Sequence, residues 1–395
     1  MQDFNKKEEF KVSFGGWYQR TTLHLTEIYN LFAFGSSTLA LSKEKLLELQ
    51  SALGLEKVTR EAGYLEYVGA TTKSGIDIRY YEDGLYILEI KSSDIGGARK
   101  ILEDYYNSAL GPAISYIFSL GAPTPKILAN IKAAHPTAVT SISENPVDFR
   151  LETEEFGEIY NKIVSPDLAV YKTPDYIFII SKPGNEETAN VLVETQIFFR
   201  EFKDQLQKYL DIHRKLWEEI ADIKEKKSVK GTEIELMRSR LDSYQKTISL
   251  ISNRINQMGA YAGTRSSISK NFKVDVYLMA LFQFKFESLL DTLSYIKEIW
   301  KMTTDYLTSA IQNITEIQNQ SAARGIQSLQ LITSLGVVAG IIGYLSKNEL
   351  PKITAIGAFY FFLIIAITWL INYAVSKIYK RKKYDLKIGE TLKDI

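Results

Sequence analysis

The chain has no cysteine among its 395 residues and only three histidines, five methionines and nine prolines. Without thiols there is no disulfide framework, no thiol nucleophile and no zinc–thiolate centre. The histidines, His24, His135 and His213, are far apart in sequence and match no metal-ligand spacing. A dominant charge is also missing. Forty-eight basic residues face 47 acidic ones, a formal +1, so nothing points to a basic face for nucleic acid. The opening MQDFNKKEEF lacks the apolar core of a signal peptide, and a cytoplasmic first domain is expected. No Gly-x-x-x-x-Gly-Lys loop, His-Glu-x-x-His pair or dinucleotide glycine fingerprint is present, which argues against an enzyme. The segment SSDIGGARK, Ser92–Lys100, places two glycines before a helix; its spacing fits no phosphate loop and reads as a helix cap.

What is present is enough chain for two or three domains, with 45% hydrophobic residues. Residues 1–185 read as a cytoplasmic α/β domain. Ile76 and Ile78 alternate with Asp77 and Arg79, Glu82–Gly84 is a turn, and LYILEI follows as a second strand. A helical face of Ala98, Ile101, Leu102, Tyr105 and Ala109 comes next, and AISYIFSL, Ala113–Leu120, reads as a strand. DYIFIIS, Asp175–Ser181, is expected as the last central strand, broken by KPGN. Residues 186–271 read as a helical hairpin with a turn near Gly231 and a second break at GAYAGTRSS after Met258. A stalk helix over 272–324 is expected to start near Phe272 and run on without a break. Its seam is Leu278, Phe282, Phe286, Leu289, Leu293, Ile296, Trp300, Leu307, Ile311 and Ile314.

The charge is segregated along the chain. None lies between Arg324 and Lys347, and none between Lys352 and Lys377. A bilayer core takes about 20 apolar residues, so 325–346 and 353–376 are expected as two transmembrane helices joined by an outer loop, 347–352. The fold class expected is thus an α+β membrane protein. A basic tail over 377–395, with Lys377, Lys380, Arg381, Lys382 and Lys383, orients both termini to the cytoplasm of a multi-pass protein of the cell membrane, with lipid as a partner.

On the stalk, Asp291, Glu298, Asp305, Gln312 and Asn319 recur every seven residues. This acidic stripe is either a solvated outer face or, in symmetric copies, a cation-attracting vestibule in which Asp291, Glu298 and Asp305 meet metal ions. Asn319, Gln330, Thr333, Val337 and Tyr344 are candidate pore-lining residues, with Ile326 or Val337 as a closing ring and Gly325 and Gly336 as hinges. Gly336-x-x-x-Gly340 is a small-residue helix-contact pattern.

This arrangement, and above all LITSLGVVAGIIGYLSKNELPK followed by an aromatic-rich run and KIYKRKK, resembles the CorA-type divalent cation transporters. The resemblance implies a homopentamer whose first span lines a pore for Mg2+ or another divalent cation, with a basic collar at its inner mouth. The family's Gly-Met-Asn signature reads Gly343-Tyr344-Leu345 here, so the Met and Asn are absent; Asn348 and Glu349 are candidate substitutes at the outer mouth. A second expectation uses the same scaffold as an effector pore of relaxed selectivity, gated by a small molecule, a nucleotide signal, on the cytoplasmic domain.

Overall fold

The computed structural model describes residues 9–19, 24–121, 135–224, 226, 228–283, 285–345, 359, 362–363, 366–371, 373–374, 377 and 383–385. By its internal contacts the chain divides into two units, Met1–Ile212 with Leu250–Glu298 and His213–Ser249 with Ile299–Ile395.

Unit 1 is built on a nine-stranded mixed sheet. In chain order its strands are β1 (Phe10–Trp17), β2 (Leu55–Ala62), β3 (Glu66–Thr72), β4 (Asp77–Tyr81), β5 (Leu85–Ser92), β6 (Thr137–Ile142), β7 (Asn161–Val164), β8 (Leu168–Lys172) and β9 (Tyr176–Ser181). Their order across the sheet is β2-β3-β4-β5-β1-β6-β9-β8-β7. Neighbours are antiparallel except β6 and β9, which run parallel with Val139 opposite Phe178. The expected hairpin of Ile76–Ile78 and LYILEI is the β4–β5 pair, with Ile78 opposite Leu88, and DYIFIIS forms β9.

Period-two alternation sorts the strands' side chains onto two faces. Val12, Val68, Ile78, Leu88, Val139, Phe178 and Ile180 point to one face. There they join the core under α1 (Leu25–Phe34), α2 (Lys43–Leu53), α3 (Ile95–Tyr105) and α4 (Gly111–Gly121). Asp94 caps α3 by accepting the Gly97 N–H at 2.9 Å, so SSDIGGARK is a cap in the structure too. A single π-turn, Tyr106–Leu110, joins α3 to α4. Pro112 in the first turn of α4 has no N–H and its ring excludes the carbonyl four residues back, which the wider turn accommodates. AISYIFSL lies in α4 rather than in a strand. Ala113, Ile114, Ile117 and Phe118 are its buried positions, a helical spacing that overrides its β-branched and aromatic content.

After a 3-10 turn at Pro146–Asp148 and a one-turn helix, α5 (Thr153–Phe156), β9 leads into α6 (Glu186–Lys224), of 39 residues. Its first half packs on the opposite face of the sheet: Phe198 and Phe202 meet Trp17 at 5.0 and 5.9 Å between ring centroids. Gly15 on β1 permits this approach, since a Cβ there would lie 2.6 Å from the Tyr86 carbonyl and 3.3 Å from Ile197. Next come α7 (Gly231–Asn271), α8 (Asp275–Phe282) and α9 (Phe286–Leu345), with a small pair β10 (Ser228–Lys230) and β11 (Lys383–Asp385) in unit 2.

Two helix boundaries differ from expectation. α7 continues through GAYAGTRSS, because Ala262, Arg265, Ser266 and Ile268 are buried there and tertiary packing outweighs the two glycines. The long last helix does not begin near Phe272. Lys273 and Gln283 both have φ +56°, and these left-handed residues end α7 and α8 before α9 starts at Phe286. The seam residues Leu289, Leu293, Ile296, Trp300, Leu307 and Ile314 are buried.

The two expected transmembrane helices are not supported. Among the described residues no helix is long and apolar enough to cross a membrane. Over 325–340 the described exposed positions are Ile326, Gln330, Thr333, Ser334, Gly336, Val337 and Gly340, so an amide, hydroxyls and glycines interrupt the apolar surface. Within 353–376 the described positions are Phe359, Phe362, Leu363, Ala366–Ile371, Tyr373 and Ala374, all helical. The remainder of that segment lies outside the described residues. The chain is α+β with a nine-stranded mixed sheet and long helices. The membrane, transmembrane and channel assignments, and the multi-pass placement in the cell membrane, are withdrawn with the spans.

Candidate ligand cleft

β5, β6 and β9 all end, and β1 begins, on the same edge of the sheet; α6 starts there as well. A cleft of about 620 Å³ opens at this edge. Its walls are Glu9 and Lys11 from β1 and its approach, Lys91 from β5, Thr140, Ser141 and Ile142 from β6, Ser181 from β9, and Glu186, Ala189 and Asn190 from α6. The pleat places Lys11, Thr140 and Ser181 on the α6 face, opposite the main core. In open sheets with parallel strands, ligands sit beyond the carboxyl ends of those strands.

The lining combines two ammonium groups, three hydroxyls, an amide and two carboxylates. Lys91 has no ion-pair partner among the described residues, whereas the Lys11 ammonium donates to Asn190 Oδ1 at 2.5 Å and stands 3.4 Å from Glu89 Oε1. Glu186 accepts backbone N–H groups of its own and of Gly184, and those bonds hold its carboxyl below the usual range.

Behind Lys11 runs a line of alternating charges. Glu89 accepts the Ser13 hydroxyl at 3.1 Å and pairs with Arg79 at 3.0 Å. Arg79 also reaches Glu194 on α6 at 2.6 Å. Glu194 is shared with Arg265 on α7 at 3.3 Å and accepts the Tyr81 hydroxyl at 2.6 Å. Arg265 closes the line on Asp83, in the β4–β5 turn, through Nε at 2.6 Å and Nη2 at 3.2 Å. Side-chain exposure is 25% at Lys11, 10% at Glu89, 21% at Arg79 and 10% at Glu194, and only 1% at Arg265 and Asp83.

Burial and pairing oppose one another along this line. Burial raises the Glu89 carboxyl, but Arg79, Lys11 and the Ser13 hydroxyl outweigh it and leave it below its ordinary value. For Arg79 and Arg265 burial disfavours the charge, and their carboxylates overcome that and hold both guanidinium groups above the usual arginine value. Burial, then the Glu194 charge, pushes the Tyr81 hydroxyl well up.

The residues singled out from the sequence lie elsewhere. Asp291, Glu298, Asp305, Gln312 and Asn319 occupy exposed positions on α9. Asp291 and Glu298 are about 10 Å apart at the helical rise, too far to share one ion within a chain. Among the described residues no group of three or more His, Asp or Glu side chains is disposed to hold a metal. Gln330, Thr333 and Val337 are exposed on the same helix. A Cβ at Gly336 or Gly340 meets nothing within 4 Å among the described residues. Gly343, Tyr344 and Leu345 form the last turn of α9, and the helix passes through Gly325 and Gly336 without a break. Asn348, Glu349, Lys380, Arg381 and Lys382 lie outside the described residues; Lys377 is exposed beside the Tyr373 ring, and Lys383 is in β11.

The histidines serve separate places. His24 precedes α1, His135 Nε2 lies 2.9 Å from Asp204 on α6, and His213 packs between Trp217 and Trp300.

The sequence does not single out the cleft residues because β1, β5, β6, β9 and α6 each contribute only one or two polar side chains from distant segments. The one local signal was a lysine near the start of β1 and another near the end of β5, Lys11 and Lys91, which stand opposite each other in the register. No family model matches this chain, and no curated protein or solved structure matches it.

Proposed function

We propose that unit 1 is a binding module for a small phosphate-bearing molecule of nucleotide size, held in the cleft between the β1, β5, β6 and β9 ends and the start of α6. The single observation that carries this is the Lys11–Lys91 pair facing one cleft at the carboxyl ends of the parallel strands. A volume of about 620 Å³ falls within the range of small-molecule sites. The ammonium groups supply point charges for phosphate, and the Thr140, Ser141 and Ser181 hydroxyls supply adaptable donors. Ile142 and Ala189 offer an apolar wall for a ring, while Glu9 and Glu186 accept from hydroxyl or amino groups. The mixed lining favours a ligand with both an anionic end and a donor-bearing end over a simple polyanion. This reading keeps the ligand-responsive element expected from the sequence and needs no membrane span.

The test is titration calorimetry of the full chain with ATP as probe, repeated on Lys91→Met. Lys91 lines the cleft without an ion-pair partner among the described residues, so its loss is expected to weaken ATP by about tenfold while thermal stability is unchanged. Equal affinity in the two proteins, or no heat with ATP and pyrophosphate alike, refutes the assignment.

A further inference from the structure

We propose that the alternating line Lys11–Glu89–Arg79–Glu194–Arg265–Asp83 is a relay that makes the seating of α6 and α7 on the sheet depend on whether the cleft is filled; this rests on the cleft being the ligand site. Each of the four inner members is shared between two opposite charges. Glu89 stands 3.4 Å from Lys11 and 3.0 Å from Arg79, and Arg79 stands 2.6 Å from Glu194. Glu194 stands 3.3 Å from Arg265, which reaches Asp83 at 2.6 Å. The members come from β1, β5, β4, α6, α7 and the β4–β5 turn, so no two successive partners are neighbours in sequence.

Sharing is what couples them. A phosphate group that draws the Lys11 ammonium into the cleft takes a counter-charge from Glu89. Glu89 then holds Arg79 more tightly, Arg79 releases part of its hold on Glu194, and Glu194 turns toward Arg265. Lys11 and Arg79 are 25% and 21% exposed whereas Arg265 and Asp83 are 1% exposed, so solvent screens the sheet-side members most and the α7 end least. The perturbation therefore enters where it is cheap and is felt where charges interact strongly. Arg265 also lies 4.8 Å from the Tyr81 ring centre and 5.8 Å from that of Phe198, so its position sets the packing of α7 against both β4 and α6.

The experiment is hydrogen–deuterium exchange of the full chain over α7 residues 262–269, with and without saturating pyrophosphate, beside calorimetry on the same samples. Pyrophosphate is expected to slow exchange in that segment by about threefold or more, the scale of a modest coupling between sites. Lys11→Met, which withdraws the same ammonium without ligand, is expected to slow it likewise. Glu89→Gln interrupts the line and is expected to bind pyrophosphate while leaving exchange over 262–269 unaltered by it. Lys91→Met, which lines the cleft but lies off the line, is expected to leave exchange of the unliganded protein unchanged. Binding of pyrophosphate without any change over 262–269, or normal exchange in Lys11→Met, overturns the relay and leaves the ligand assignment standing. Absence of pyrophosphate binding overturns the relay driven by phosphate, and absence of both pyrophosphate and ATP binding overturns the ligand assignment with it.

Discussion

Replacing Arg265 with methionine tests the energetics of unit 1 most sharply. The guanidinium is 1% exposed, as is its partner Asp83, and it makes two bonds to that carboxylate and one to Glu194. Methionine fills much of the same volume, so the loss is electrostatic rather than a cavity. Afterwards the Asp83 carboxylate keeps, among the described residues, the Leu85 N–H at 3.1 Å, while Glu194 keeps Arg79 and the Tyr81 hydroxyl. Stranding a buried carboxylate in this way costs about 3–5 kcal/mol. At about 2–4 °C per kcal/mol for a folding unit of this size, the midpoint falls by about 6–20 °C. Urea denaturation followed by circular dichroism reads the change directly, with the denaturant slope unaltered. Adding Asp83→Asn removes the stranded charge and is expected to restore about 1–3 kcal/mol. A loss below about 1 kcal/mol in the single variant, or no recovery in the double one, would falsify the picture of a dry, paired centre.

Three further outcomes follow from the same geometry. Glu89 titrates below its ordinary value in the fold, so its contribution is complete above the unfolded carboxyl value, near pH 4.3, and vanishes as pH falls through the folded one. Glu89→Gln should therefore flatten the acid limb of stability measured by urea midpoints. Tyr67 is pushed up to about 12 by burial and then by its bond to Glu61. Its contribution is present below the unfolded tyrosine value, near pH 10, and is lost as pH rises toward 12. Absorbance titration at about 295 nm should show one tyrosine ionising earlier in Glu61→Gln; an unchanged curve refutes the assignment. Gln283 ends α8 at φ +56°, with its N–H on Met279, so Gln283→Gly is expected to stabilise the protein by about 0.5–1 kcal/mol in urea.

Segments with an unambiguous period were legible in the sequence. Ile76 to Arg79 alternate ahead of the turn at Glu82–Gly84, and Asp175–Ser181 is a short apolar run bounded by turn residues; both form strands. AISYIFSL was not, because its residue types favour strands and only the spacing of Ala113, Ile114, Ile117 and Phe118 betrays a helix. Gly259 and Gly263 read as a break in isolation, yet a Cβ at Gly259 would lie only 3.6 Å from Leu293, and helix contact keeps α7 intact. The uncharged C-terminal runs invited a membrane reading from mean composition, which ignores that Gln330, Thr333 and Ser334 share the exposed surface with Ile326 and Val337. The cleft and its charge line could not be seen at all, since Lys11 and Arg265 are 254 positions apart and only the folded sheet brings their chain of partners together.

The place of β1 has a consequence for biosynthesis. The first strand of this sheet in chain order is fifth of nine across it, flanked by segments made later, with Val12 opposite both Ile90 and Val139. Its second neighbour, β6, must in turn dock beside β9, which ends at Ser181. FKVSFGGW thus waits unpaired on one side until β6, more than 100 residues later in the chain, has been made, and closing such long loops slows folding. Placing the first strand in the middle of the sheet thus defers the central pairing until the parallel β6–β9 pair can form.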